Sequence, residues 1–149
     1  MASYFLDTSA LAKLYVREAG TEKMLKLVAR PDRPSLVILS LSRVELRAAV
    51  QRRVRSRELS EKAASAVITA FSEHLSSIYV VQHVNEAMLE KAVDLIGRHE
   101  LRAYDSIQLA ACMTLPVQDS KGRATFTCAD DRLIAAAEGE GWPVMNPTS

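Results

Sequence analysis

Four acidic residues hold related places in this sequence: Asp7 in FLDTSALAKLY, Glu45 in SRVELRAAVQRR, Asp105 in YDSIQLAA and Asp130 in FTCADDRLIAAA. Asp7 directly follows a short strand signal and opens a helical pattern. Glu45 falls in the first turn of the helix after the second strand signal, and Asp130 directly follows the fourth. Asp105 falls in the first turn of the helix that feeds the fourth strand. That helix must run antiparallel to the strand, so its amino end lies at the carboxyl edge of the sheet, where open α/β sheets gather ligands. Carboxylates brought within a few ångströms repel one another, so a proton is taken up or a cation sits between them. Oxygen ligands without Cys or His favour a hard ion, Mg²⁺ or Mn²⁺. Such an ion keeps several waters and meets phosphate oxygens, which points to phosphoryl transfer or phosphodiester cleavage. Each acid taken singly has a structural alternative. Asp7 and Asp130 suit helix N-caps, Ser42-x-x-Glu45 fits a capping box, and Asp105 complements a helix dipole.

The elements that must position these acids alternate along the chain. Strand signals fall at Tyr4–Leu6, Leu36–Leu39, Ile78–Val81, Ala124–Cys128 and Trp142–Met145. Helical spacing recurs through Ala10, Leu11, Leu14 and Tyr15, through Met24, Leu25 and Val28, and over Ser42–Arg55. It continues from Ser60 with Ala64, Val67, Ile68, Phe71 and Leu75 on one face, then over Val84–His99, Ala103–Leu115 and Asp130–Glu140. Strands separated by helices require crossovers and a mainly parallel sheet covered on both faces. The expectation is one domain over residues 1–149, an α/β/α sandwich.

Composition narrows the function. The chain has 149 residues, with 19 Lys plus Arg against 18 Asp plus Glu. That balance argues against coating nucleic acid by bulk electrostatics and leaves a local site open. Three Phe, four Tyr and one Trp, several of them in strands or helix faces, argue against a base-stacking platform. No apolar run approaches the roughly 18–20 residues that span a bilayer. The start, MASYFLD, lacks a basic segment followed by a long apolar one, so a cytoplasmic protein is expected. Cys112 and Cys128 form no zinc spacing and read as small buried residues. His74, His83 and His99 are isolated and read as surface or structural residues. A dehalogenase-type phosphatase needs a second Asp two places after the first, and Ser9 stands there. A receiver domain needs an Asp after its third strand, where this chain reads VVQHVNE. GxxxxGK[ST], GxGxxG and GxSxG are all absent.

Together, FLDTSALAKLY, SRVELRAAVQRR, YDSIQLAA and FTCADDRLIAAAEGEGWPVMNP resemble the PIN-domain family, and within it the VapC-type toxins of bacterial and archaeal toxin–antitoxin pairs. The resemblance covers essentially the whole chain. It implies a metal-dependent endoribonuclease whose acidic quartet maps onto Asp7, Glu45, Asp105 and Asp130, with Ser9 supporting the first aspartate. It further implies a homodimer silenced by a small antitoxin that inserts a segment near the active site. The sequence departs from the family pattern in three places. Cys128 stands where relatives carry Thr or Ser, so a weak thiol donor replaces a hydroxyl. Asp131 follows Asp130 and is a second candidate for the fourth role, although the strand-to-helix spacing favours Asp130. The loop from Pro116 to Arg123 is long and polar.

On this reading Asp7, Asp105 and Asp130 hold one or two Mg²⁺ ions (Mn²⁺ being the alternative), and Glu45 completes the shell or orients the attacking water. The products are a 5′-phosphate and a 3′-hydroxyl. Arg43, Arg47, Arg52, Arg53, Arg55 and Arg57 form the densest basic stretch. Because a helix rises about 1.5 Å per residue, Arg43 and Arg47 are expected to be the substrate contacts and positions 52–57 to lie farther off. Lys13 and Arg17, one turn apart, read as surface charges. The competing reading is a catalytically inactive PIN-fold dimerising or scaffold module that keeps an acidic metal-binding pocket.

Overall fold

The computed structural model describes residues 2–116 and 122–149. Five parallel strands form one sheet: β1 (Ser3–Leu6), β2 (Ser35–Leu39), β3 (Tyr79–Gln82), β4 (Thr125–Thr127) and β5 (Val144–Met145). Their spatial order is β3-β2-β1-β4-β5. The chain therefore builds outward from β1 through β2 to β3, then returns across the sheet to lay β4 on the other side of β1. The crevice beside β1 and β4, where the winding reverses, is where such a sheet opens toward a ligand. Leu6 aligns with Thr127, and the Asp7 amide donates to the Thr127 carbonyl at 3.1 Å.

The strands alternate their burial between two cores, as a period of two demands. Phe5, Val37, Leu39 and Phe126 face one cluster, which includes Met88, Leu95, Leu109 and Leu133. Leu6, Leu36 and Ile38 face the other, with Leu11, Met24, Leu46 and Phe71. The first face is covered by α5 (Glu86–Arg98), α6 (Ala103–Met113) and α7 (Asp131–Gly139). The second is covered by α1 (Thr8–Leu11), α2 (Thr21–Val28), α3 (Ser42–Arg55) and α4 (Glu61–Ser77), with a 3-10 turn over Ala12–Leu14. This is the expected α/β/α sandwich, with the expected order of elements. Among the described residues, no helix is long and apolar enough to cross a membrane.

Helix starts follow their caps. Ser60 accepts from the Ala63 amide and Asn85 from the Met88 amide, closing the first turns of α4 and α5. The proposed capping box at Ser42 does not form. The cap of α3 is Leu41, and Ser42 lies inside the first turn with its side chain fully buried. A hydroxyl facing the core finds its partner there rather than at its own backbone, and Ser42 bonds to α6 instead. Of the polar loop from Pro116 to Arg123, residues 117–121 lie outside the described residues.

Candidate functional site

Asp7, Glu45, Asp105 and Asp130 line one cleft of about 630 Å³ at the carboxyl edge of the sheet. Each arrives from a different segment. Asp7 is the cap of α1 immediately after β1, and its Oδ1 accepts from the Ala10 amide at 3.0 Å and from the Ser9 hydroxyl at 2.7 Å. Asp130 caps α7, its Oδ1 accepting from the Leu133 amide at 3.0 Å. Glu45 and Asp105 stand in the first turns of α3 and α6. Capping and clustering are therefore not rivals here, because Asp7 and Asp130 do both. Asp131 opens α7 and lines a neighbouring depression with Glu100, Arg102 and Arg132, which Asp105 and Asp130 also border, and only Asp130 of the pair reaches the main cleft.

Asp7, Glu45 and Asp130 are hydrogen-bonded by neutral partners rather than by cations. Asp7 is 4% exposed. Burial pushes its carboxyl up to about 6, more than the bonds from Ser9, Ala10 and Cys128 pull it down, and the charge of Asp105 adds to the rise. Burial also raises Glu45, with Asp105 again contributing, and raises Asp105, where Asp130 adds repulsion and Arg102 offsets part of it. Cys128 reaches the first aspartate with its thiol. Its Sγ lies 3.3 Å from Asp7 Oδ2 and accepts from the Asp130 amide at 3.3 Å. Burial and the Asp7 charge drive the thiol far above its ordinary range, so it stays protonated and donates. Ser9 ties the two strand ends together as well, accepting from the Ala129 amide at 2.9 Å.

Sequence reasoning missed Gln108. It lies one helical turn beyond Asp105, is 2% exposed, and points from α6 into the junction with α1 and α3. Its Nε2 donates to Glu45 Oε1 at 2.9 Å, and lies 3.0 Å from the Ser42 hydroxyl and 3.2 Å from the Thr8 hydroxyl. Its Oε1 is buried without a partner among the described residues. The signal was available: a glutamine in the otherwise apolar run IQLAAC, three residues after an acid and so on the same helix face.

The basic residues do not fall where axial distance alone suggested. Arg43 and Arg47 line a separate groove with Val44, Phe71 and Leu75, away from the acids. Arg52, Arg53 and Arg102 line the acidic cleft. At roughly 100° per residue, Arg43 and Arg47 are each turned about 200° from Glu45, whereas Arg52 returns to within about 20° of it. The angle around the helix decides which arginine meets the site, and the rise along it does not. Lys13 also departs from expectation. It is 7% exposed and lines the cleft, whereas Arg17 is an exposed surface charge paired with Glu22.

The other residues with chemical potential have structural partners. His74 bonds to the Tyr15 hydroxyl at 2.7 Å, and His99 to Glu140 at 2.8 Å. His83 is exposed, and both cysteines are free and buried. Among the described residues, no three Asp, Glu, His or Cys side chains stand close enough to form a ready cation cage. The donor set nonetheless suits a hard divalent ion. It is made of carboxylate oxygens only, three of the acids are raised in part by one another's charge, and the cleft is wide enough for an ion that keeps its waters.

Known structures share this arrangement of elements. VapC20 of Mycobacterium tuberculosis, described as a toxin that cleaves the sarcin–ricin loop, superposes with a TM-score of 0.65 at 23% identity, over 90% of this chain and 95% of that one. A toxin–antitoxin complex from Klebsiella pneumoniae gives 0.66 at 17% identity, covering 97% and 98%. FitAcB from Neisseria gonorrhoeae gives 0.62 at 17% identity, covering 97% of each chain. At these identities the likeness is one of fold. A comparison with curated proteins returns no significant match. The sequence model of the PIN domain matches residues 4–138, nearly the whole sheet and every helix but the end of α7, and the chain belongs to the PIN-domain family.

Proposed function

We propose that the chain is a Mg²⁺-dependent endoribonuclease and the toxin of a type II toxin–antitoxin pair, acting in the cytoplasm. The observation that carries this reading is the four carboxylates of a PIN domain lining one cleft at the carboxyl edge of the sheet. Asp7, Asp105 and Asp130 would hold the ion, Mg²⁺ or Mn²⁺. When bound, it supplies Lewis-acid activation of the attacking water and neutralises charge on the phosphodiester. Ser9, the Ala10 amide and Cys128 fix the Asp7 carboxylate, leaving it little freedom to turn away. Glu45, gripped by Gln108, orients the attacking water and takes its proton. Water as nucleophile leaves a 5′-phosphate and a 3′-hydroxyl.

Partners follow from the same reading. The Klebsiella neighbour is a toxin–antitoxin complex, and the VapBC2 complex of Rickettsia felis is bound to a DNA fragment from its promoter. A small DNA-binding antitoxin, encoded beside this chain, is the expected partner. A homodimer is expected too. Leu89, Val93 and Ile96 form an exposed apolar stripe along α5 that suits such a contact, and light scattering measures the mass. The deciding experiment incubates the protein with total RNA and purified tRNA, with and without Mg²⁺, beside Asp7→Asn. Metal-dependent cleavage lost in the variant is expected. Cleavage that survives complete chelation in clean protein overturns the metal-dependent reading. Metal-induced stabilisation without cleavage supports the inactive scaffold instead.

A further inference from the structure

The same cleft is lined by a second group of charges that is organised differently. The Lys13 Nζ, in the 3-10 turn, lies 2.9 Å from Oε1 of Glu18. Arg53 of α3 donates to Oε2 of the same carboxylate, and its Nη1 lies 3.7 Å from the more exposed Glu58 carboxylate. One anion thus bridges two cations with one oxygen each, and all three side chains line the cleft. Their side chains are only 9%, 32% and 22% exposed for Lys13, Arg53 and Glu18. Arg52 lies beside them on the cleft, and among the described residues no ion pair involves it.

The backbone that carries Glu18 is fixed. Its amide donates to the Thr21 hydroxyl at 3.0 Å. Gly20 holds φ +92, where a Cβ would come within 3.0 Å of Lys13 Cδ and of the Pro147 carbonyl oxygen. The carboxylate itself can still leave by rotation about its own side-chain bonds. A phosphodiester carries the same single negative charge as a carboxylate and also offers two equivalent oxygens, so it satisfies the same pair of donors. Two cations held at bridging distance by one removable anion, in the cleft that the acids also line, make a seat for it.

We propose that Lys13 and Arg53 bind a backbone phosphate of the substrate strand and that Glu18 is the built-in occupant which this phosphate displaces. The proposal rests on the nuclease reading and adds how that site takes its substrate. Glu18 lowers affinity for polyanions in general, so only a strand that places a phosphate on both cations recovers the lost attraction.

The test measures binding of a fluorescent single-stranded RNA by anisotropy over a range of salt, in the Asp7→Asn background so that no cleavage occurs. Adding Glu18→Gln is expected to tighten binding about fivefold at low salt and to steepen the dependence of log Kd on log salt by about 0.7. Arg53→Gln is expected to weaken binding and make that dependence shallower by a similar amount. Inorganic phosphate, run as a competitor, distinguishes a seat for any phosphate from one that needs the strand. Efficient competition in Glu18→Gln supports the first, and none supports the second. In the cleaving enzyme, Glu18→Gln should lower KM by about the factor by which RNA binding tightens. Unchanged or weaker binding by Glu18→Gln, in protein whose melting temperature is preserved, overturns the proposal. If that variant does not fold, Arg53→Gln decides, and unchanged affinity and slope overturn it. Normal metal-dependent cleavage with an inert Glu18→Gln sinks the seat alone. Absence of both cleavage and RNA binding sinks the nuclease reading with it.

Discussion

The two walls of the cleft treat charge in opposite ways. On the wall built from β1, β4 and the first turns of α3 and α6, Asp7 and Glu45 are held by hydroxyls, an amide, a thiol and a carboxamide, none of which cancels a charge, and Arg102 offsets only part of the shift of Asp105. On the wall built from the 3-10 turn and α3, charge is cancelled within the protein, Lys13 and Arg53 sharing Glu18. Neutral dipoles fix the position of an anion while leaving its charge available to a cation. An internal counter-ion fixes position by using the charge up. One wall is therefore unsatisfied as it stands, and the other is satisfied until something competes.

Substitutions can break or sharpen that contrast. The largest effect is expected for Asp7→Asn, which should lower kcat/KM by roughly a hundred- to a thousandfold in a metal-dependent RNA cleavage assay. The same substitution should stabilise the metal-free protein at pH 7, by up to about 3 kcal/mol, because Asn keeps the cap and removes a buried charge. The sign follows from the raised carboxyl. The folded state binds this proton more tightly than the unfolded chain, so its stabilisation is full below about pH 4 and is lost as the pH rises past about 6. Thermal melts should show the gap between wild type and variant opening across that window. A destabilised Asp7→Asn at pH 7 would mean that Asp7 is chiefly a cap and that its wall stores no repulsion. Asp105→Asn should act in the same direction and less strongly, since Asp105 is only partly buried.

Gln108→Ala comes next, with a loss of about tenfold in kcat and a smaller change in KM. Stability should fall by about 1–2 kcal/mol, because the donor to Glu45, Ser42 and Thr8 is removed. A change confined to KM would reassign Gln108 to substrate binding. The smallest effect belongs to the paired change Arg43→Gln and Arg47→Gln, expected to leave KM within about twofold. Arg52→Gln should raise it several-fold. The reverse ranking would show that the strand crosses the α3–α4 groove instead of the cleft.

Much of this was legible in the sequence because the fold uses local signals consistently. The order of strands and helices follows from periodicity, and α3 spans the residues, Ser42–Arg55, that its pattern marks. The spatial order of the strands does not follow, since β4 returning to the far side of β1 is a choice among long-range pairings that no local pattern encodes. The convergence of the four acids was readable from their places relative to strand ends, which a parallel sheet turns into a shared edge. Ser42 was misread because a capping box needs a serine free to turn back on its own helix, and this serine is buried and bonded to Gln108 of α6. Lys13 was misread because a lysine on a short helix normally faces water, and only the tertiary placement of Glu18 draws it inward.

The caps at Asp7 and Asp130 have a spectroscopic consequence. The same two carboxylates that line the cleft also hold, through Oδ1, the amide protons of Ala10 and Leu133, the first-turn amides of α1 and α7. A cation drawn to either carboxylate withdraws electron density from the bond that this carboxylate accepts and shifts the resonance of that amide. In a ¹⁵N-labelled sample, two backbone peaks thus become gauges of occupancy, read without substrate or turnover. If they move in step through a Mg²⁺ titration, one ion spans both strand ends. If they move at separate concentrations, each carboxylate answers to its own ion, and the number of metals is counted at the helix starts.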